Sequence, residues 1–406
     1  MNIRKPILAM LKPLLFLWIL LLLSRCQSAD SRESSHEVLH ERIARAKILD
    51  SIAERRNAIL NSPSTIRMQE ALDEYYHRFL EKRFNGAILV ARKGVVIYEK
   101  YQGYADFSKH IPIDEHTTFQ LASTSKPFLA MAVLWLYQRG KLNLNDPVQK
   151  YFPNFPYQGV TIKLLLNHRS GLPNYLYCCQ SYWKDPSRLM TNQDVVRILC
   201  KYHPKPVFKP DTHFNYCNTN YCLLAAIVEE VTHEPLGSFL QRIFFEPLGM
   251  HDTYVYTPRE PAPAHQSISY DARGRKVRTV PFDGVVGDKN VYSTVEDLLK
   301  WDQALYSGSL FPDSILQLAY KPYSFEHPGI HNYGLGWRML MYPDGQQIIY
   351  HNGWWHGNNS VFYRFLKDTT TLIILSNRYD PIVYHVQPVM KILHENDVEG
   401  EVDEGG

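Results

Sequence analysis

The chain predicts a mixed α/β (α+β) fold in which both chain ends contribute strands to one antiparallel sheet, helices flank it, and a mainly helical region is inserted between the two contributions. Three observations carry this. Strand patterns cluster towards the two ends, helix-period patterns fill the middle, and no internal repeat is visible. Met68, Leu72, Tyr75, Tyr76, Phe79 and Leu80 recur at helical spacing, so a helix precedes the first strand. Ala87 to Ala91 and Val95 to Tyr101 then read as two strands joined by Arg92, Lys93 and Gly94, a hairpin. Helices follow at Pro127 to Arg139, stopped by Gly140, at Asn220 to Val231, and at Thr294 to Leu305 behind a capping box of Ser293 and Glu296. Gln347 to His351, Asn359 to Phe365 and Thr370 to Leu375 supply the second strand series, before a closing helix from Ile382 to His394.

The composition is that of an ordinary globular chain: 406 residues, 45% hydrophobic and 21% charged, which excludes global disorder. With 44 Lys and Arg against 41 Asp and Glu, and no concentrated basic stripe, a nucleic-acid partner is not expected. Aromatic residues reach 13%, led by 27 Tyr, which suits clefts lined with flat amphipathic side chains and half-buried surfaces equally.

The first segment reads as an address. Arg4, Lys5 and Lys12 precede an apolar run from Leu14 to Leu23, too short for a membrane span and right for the core of a secretory signal. The run ends at Leu23, Ser24, Arg25, Cys26, which resembles a bacterial lipobox and makes Cys26 the expected lipidation site, the alternative being a plain signal peptide cut nearby. Residues 1–25 are thus the expected signal peptide and 26–65 a polar tether and stalk helix. The folded domain is expected over 66–395, and 396–406 is an acidic tail. Within the stalk, His36, Glu37 and His40 spell HExxH, a zinc-protease pattern; it sits in a charged segment with no folded cleft around it, and no metal site is expected.

The chemistry begins at Ser123-Thr-Ser-Lys126, an SxxK at the start of an apolar helix. Residues three apart share a helix face, so the Lys126 amine reaches the Ser123 hydroxyl, and desolvation makes that amine neutral enough to take a proton. Ser181 to Lys184 repeats the letters, but Asp185 and Pro186 follow it rather than an apolar helix. Downstream, Tyr216-Cys-Asn218 places a phenol and an amide on a loop leading into the next helix, where the phenol can shuttle protons. Tyr350 to Asn352 is a second YxN inside a strand, overlapping the HxG of His351, Asn352 and Gly353, whose Gly admits close backbone approach.

These three motifs, in this order, resemble the serine β-lactamase and penicillin-binding protein superfamily, specifically its class C and esterase-like branch, over Phe84 to Asn377. LLLNHRSGLP (164–173) and YSTVEDL (292–298) are similar to two further loops of that family. The resemblance implies a β-lactamase/transpeptidase-like fold. It implies Ser123 as the acylated nucleophile, Lys126 as its base and Tyr216 as proton-transfer partner. Asn218, His351, Gly353 and Trp354 would bind substrate, with the amides of Ser123 and Trp354 as oxyanion hole. His351 stands where class C enzymes carry the Lys of KTG. It is expected to face the substrate and to gain charge below an ordinary pKa of about 6.5. Trp354 and Trp355 either wall the cleft or pack as core aromatics. Lys289 is expected on a solvated loop, and His168 as a loop-fixing hydrogen-bonder. Five cysteines besides Cys26 allow one or two disulfides.

The function expected is a lipid-anchored serine hydrolase of the bacterial cell envelope, acting through an acyl-enzyme on an ester, amide or D-amino-acid peptide, without cofactor or metal. One alternative is a D,D-peptidase or β-lactamase-like enzyme. Another is a penicillin- or muropeptide-binding module that does not turn over.

Overall fold

A computed structural model describes residues 50–393. Cys26, the pattern at His36, Glu37 and His40, and the acidic tail lie outside the described residues. The chain divides into two compact units at Pro63 and Ser64. Of the first, a helix over residues 50–60 is described, exposed along most of its length. Among the described residues no helix is long and apolar enough to cross a membrane.

The second unit is built on a seven-stranded antiparallel sheet. Its strands are β1 (Gly86–Arg92), β2 (Val95–Gln102), β3 (His331–Tyr333), β4 (Arg338–Met341), β5 (Gln347–Trp355), β6 (Asn358–Phe365) and β7 (Thr370–Ser376). They lie in the order β2-β1-β7-β6-β5-β4-β3, so the first hairpin joins the rest of the sheet through the last strand. β6 and β7 are buried at every position, as strands covered on both faces must be; β7 carries the apolar run Leu372–Leu375, while β6 buries Asn358, Asn359, Ser360 and Arg364 along with its apolar residues. The mixed α/β architecture with an antiparallel sheet drawn from both chain ends is the one expected. The edge strand β3 and its inner neighbour β4 were not: His331 and Asn332 are polar, and Gly334 and Gly336 interrupt the pattern between the two strands.

Helix α1 (Pro63–Tyr75) runs through a π turn at Tyr76–Leu80 before β1. Helix α2 (Lys126–Gln138) is buried at ten of its positions, and Pro127 falls in its first turn, where no intrahelical donor is lost. It packs against α3 (Asn218–Thr232), which the sequence placed two residues late. Helix α4 (Val295–Tyr306) covers β1 and β7. Its cap differs by one residue from the expected box. Thr294 accepts from the Asp297 amide at 3.1 Å, while Ser293 ends a short strand paired with Phe119. Glu296 turns instead to Tyr101 on β2, and burial beside Glu99 pushes its carboxyl up to about 8. The closing helix is also shorter than expected. A 3-10 turn at Pro381–Tyr384 precedes α5 (Gln387–Leu393), because Pro388 can occupy only a first turn.

Two buried features correct the sequence reading. All five described cysteines, Cys178, Cys179, Cys200, Cys217 and Cys222, are free thiols, so the disulfides that the sequence allowed are not formed among them. Lys289 is not solvated: it is 2% exposed, bonded to Tyr175 and paired with Asp288 at 3.3 Å. A second buried ion pair, Arg364 with Asp302 at 2.5 Å, ties β6 to α4, and Thr371 Oγ1 donates to the same carboxylate at 2.6 Å. Replacing Arg364 with Met strands that carboxylate in the core and should cost about 3–5 kcal/mol. Denaturant unfolding checks this; a loss below about 1 kcal/mol would mean that hydroxyl and amide donors alone satisfy Asp302.

Candidate active site

Ser123 sits on a 3-10 turn, Ala122–Ser125, that feeds directly into α2. Side-chain bonds pin this turn on three sides. Thr124 Oγ1 donates to the His351 carbonyl on β5 at 3.2 Å, Ser360 Oγ on β6 donates to the Leu121 carbonyl at 2.6 Å, and Ser125 Oγ accepts from the Val291 amide at 3.0 Å. Ala122 is held at a φ of +47°, a left-handed conformation costing an alanine about 1–2 kcal/mol. Ser123, partly exposed, is flanked by buried residues. Gly353 is required at the contact with β5, since a Cβ there would lie 2.2 Å from Leu121 O and 2.9 Å from Ser123 N.

The Lys126 amine is buried with the first turn of α2. It lies 2.9 Å from Ser123 Oγ and donates to the Asp288 carbonyl, also at 2.9 Å. Burial lowers its pKa to about 7; the Asp288 carboxylate opposes that shift and the Arg338 guanidinium reinforces it. The carbonyl is delivered by Gly287, whose φ is +99° and where a Cβ would meet Ala225, Leu129 and Tyr221 within 2.8 Å. Sequence reasoning placed this segment on a solvated loop and missed its use.

Tyr216 closes over the pair, its ring centroid 4.9 Å from Lys126 Nζ and 5.2 Å from Arg338 Cζ. Its hydroxyl is buried without a hydrogen bond of good geometry, and burial raises its pKa against the pull of Arg338 and Ser123. Asn218 opens α3, its Oδ1 likewise buried and without a partner. His168 fixes the loop that carries Tyr216, as expected of it. Its Nδ1 accepts from the Cys217 amide at 3.2 Å and lies 3.0 Å from Asn220 Nδ2, and its ring packs 4.4 Å from that of Tyr216.

His351 is fully buried, and its hydrogen bonds fix its form. Nδ1 lies 2.7 Å from the Asn352 carbonyl and must donate to it, which leaves Nε2 to accept from Tyr333 Oη at 3.2 Å. Burial, Arg338 and Lys126 hold its pKa well below 6.5, so the expected gain of charge under mildly acidic conditions does not occur. Trp354 is also corrected as a cleft wall. Successive strand side chains alternate, which sends its 59% exposed indole to the face opposite His351 and against Tyr379, while Trp355 faces inwards under Lys289.

The positive charge expected at His351 is found instead on Arg338 of β4, beside Tyr216. No periodicity announced it, because β4 itself was not recognised. The second SxxK is inert by geometry: on an exposed turn, Lys184 Nζ donates to the Ser181 carbonyl and not to its hydroxyl. Among the described residues no group of three or more His, Cys, Asp or Glu is arranged to hold a metal ion.

A helical layer on an antiparallel sheet, with a serine turn at the helix start and a His-Asn-Gly strand beside it, is the β-lactamase/transpeptidase-like arrangement. Solved structures agree: a penicillin-binding protein from Bacillus halodurans matches with a TM-score of 0.69 at 24% identity, over 79% of this chain and 99% of that one. A D-amino acid amidase from Ochrobactrum anthropi SV3, complexed with D-phenylalanine, gives 0.65 at 25% identity over 82% and 98%. The family described as Beta-lactamase matches residues 72–395, and the chain belongs to it, within the serine β-lactamase and penicillin-binding protein superfamily. It is similar to penicillin-binding protein 4* of Bacillus subtilis (strain 168), 34% identical over 323 residues, 76% of this chain and 71% of that protein.

The burial of Lys126 predicts a directly observable titration. With lysine side chains isotopically labelled, its NMR resonance should titrate with a midpoint near 7 rather than the ordinary 10.5. Arg338→Gln removes a repelling cation and should move that midpoint upwards; a midpoint that moves down would show that Arg338 does not act on the amine.

Proposed function

We propose that the protein is a serine hydrolase that acylates Ser123 and releases the acyl group to water, with carboxylate-bearing D-amino-acid peptides or amides as its substrate class. The observation that carries this reading is the buried amine 2.9 Å from the Ser123 hydroxyl. Near pH 7 the neutral Lys126 keeps one N–H on the Asp288 carbonyl and offers its lone pair to the Ser123 proton. Ser123 Oγ then attacks the substrate carbonyl, and the amides of Ser123 and Trp354 receive the oxyanion. Tyr216, which lies beside the ammonium so formed, passes a proton to the leaving nitrogen and is reprotonated from Lys126. Water attacks the acyl-enzyme with the proton moving by the reverse route, and the Asn218 amide holds the acyl chain.

Two features favour the substrate class. The Arg338 guanidinium, 5.2 Å from the Tyr216 ring, offers a cation that a substrate carboxylate can pair with. β5 pairs with β4 only through Gln347 to Tyr350, so its last residues, His351 to Trp355, present an edge beside Ser123 for an extended peptide. The printed descriptions of the relatives, a penicillin-binding protein and a D-amino acid amidase, support the same class.

Intact mass spectrometry with a panel of esters, D-amino amides, D-alanyl peptides and β-lactams tests the reading. A transient adduct on Ser123, lost in Ser123→Ala, is expected. An adduct that never turns over supports the binding module instead, and one on another serine rejects the assignment. Arg338→Gln should raise KM for carboxylate-bearing peptides roughly 10- to 100-fold, the worth of a charged hydrogen bond, and leave neutral amides nearly unchanged. Equal effects on both would remove Arg338 from substrate recognition.

We also propose that Cys26 is lipidated and anchors the hydrolase in the cell envelope. Labelled fatty acid should enter the wild type and not Cys26→Ser, and equal labelling of both would reject the anchor.

A further inference from the structure

The thiol chemistry of the helical region is unused by this reaction. Cys178 and Cys179 end the short helix Tyr175–Cys178, with their sulfurs 3.9 Å apart; Cys178 is half-buried and Cys179 fully buried. Cys179 holds the Cys178 thiol below its usual pKa, while burial and that same neighbour push Cys179 up. Cys178 is therefore the nucleophile of the pair and Cys179 sits beside it to resolve. We propose that Cys178 and Cys179 form a reversible thiol-oxidation site, a substrate for low-molecular-weight disulfides, whose state is relayed to the Lys126 amine.

The chemistry balances by exchange. The Cys178 thiolate attacks a disulfide and releases one thiol. Cys179 then attacks the Cys178 sulfur of the mixed disulfide and releases the second, so two protein thiols become one disulfide and the two protons leave on the two released thiols. Neighbouring Cα atoms lie about 3.8 Å apart, closer than the roughly 4.4–6.8 Å that an unstrained disulfide spans. The bond is consequently strained and easily reduced, as suits a regulatory rather than a structural bridge.

The relay is a chain of contacts. The helix is closed by bonds from the Cys178 amide to Asn174 O and from the Cys179 amide to Tyr175 O, both 3.0 Å, which an eight-membered disulfide ring distorts. Tyr175 is fully buried; its hydroxyl donates to Asp288 Oδ2 at 3.0 Å and its amide to Thr219 Oγ1 at 2.7 Å. Asp288 in turn supplies the carbonyl that holds Lys126 Nζ. The relay's effect on rate rests on the proposed role of Lys126; bond formation does not.

The test treats the reduced chain with excess oxidised glutathione. Peptide mapping should show a chain lighter by two hydrogens, with the bond inside one peptide containing both cysteines and reversed by dithiothreitol. The Lys126 NMR resonance should move on oxidation, and acylation should slow roughly 2- to 30-fold and recover on reduction. Cys178→Ala should acylate like the reduced wild type and no longer respond. A stable glutathione adduct on Cys178, a bond from either cysteine to Cys200, or an oxidised pair with an unmoved Lys126 resonance overturns the proposal. A reduced chain that never acylates counts against the hydrolase reading, while mapping and resonance still decide the thiol pair.

Discussion

A lysine amine with no exposure to water is the constraint around which the rest of this site is arranged. Transferring an ammonium into a protein interior costs several kcal/mol, and the group answers by giving up its proton near neutrality. Keeping it there requires enclosing side chains, among them the rings of Tyr216 and Tyr221 at 4.9 and 5.7 Å from the amine, and one well-placed acceptor, which the Asp288 carbonyl provides. That acceptor depends on a left-handed Gly287 packed against α2 and α3. The nucleophile turn depends on the sheet in the same way, through Thr124, Ser360 and the bare Cα of Gly353. Removing any of these frees the amine to find water, and with water its ordinary basicity.

Legibility in the sequence followed the range of the physics. Ser123 and Lys126 were readable because a three-residue spacing on an apolar helix is local, and the inert copy at Ser181 could be dismissed by the same local test. The hairpin and the strands β5 to β7 were readable from apolar runs between turn residues. Arg338 was not, since a short strand, β4, places it beside a tyrosine on a distant loop. The protonation of His351 was misjudged for a related reason: its environment is set by Tyr333, Arg338 and Lys126, which meet only in the fold. Lys289 was assigned to solvent because a charged residue in a polar loop normally is, and only the fold brings Tyr175 and Trp355 to it. The one-residue shift of the α4 cap shows the limit of motif spacing. Two overlapping hydroxyl-to-acid patterns compete there, and strand pairing of Ser293 with Phe119 decides between them.

Charge in the site is distributed over several elements. Burial holds Lys126 poorly charged, Arg338 is permanently charged, and His351 is a neutral hydrogen-bonding spacer between the Tyr333 hydroxyl and the Asn352 carbonyl. A lysine at the His351 position would add a second permanent cation beside Arg338.

The order of strands has a consequence for how the chain is made. β1 finds its inner neighbour only in β7, with Gly86 opposite Ser376, so nearly the whole sequence must emerge before the central pairing can form. Until then the hairpin of β1 and β2 offers an unpaired apolar edge, and β5 and β6 another. The helical region inserted between them can collapse early, but the serine turn is bolted to β5 and β6 and cannot be set until the sheet closes. Biosynthesis thus leaves a long interval in which the chain is aggregation-prone and its serine turn unset, and completion of the last strand ends both conditions together.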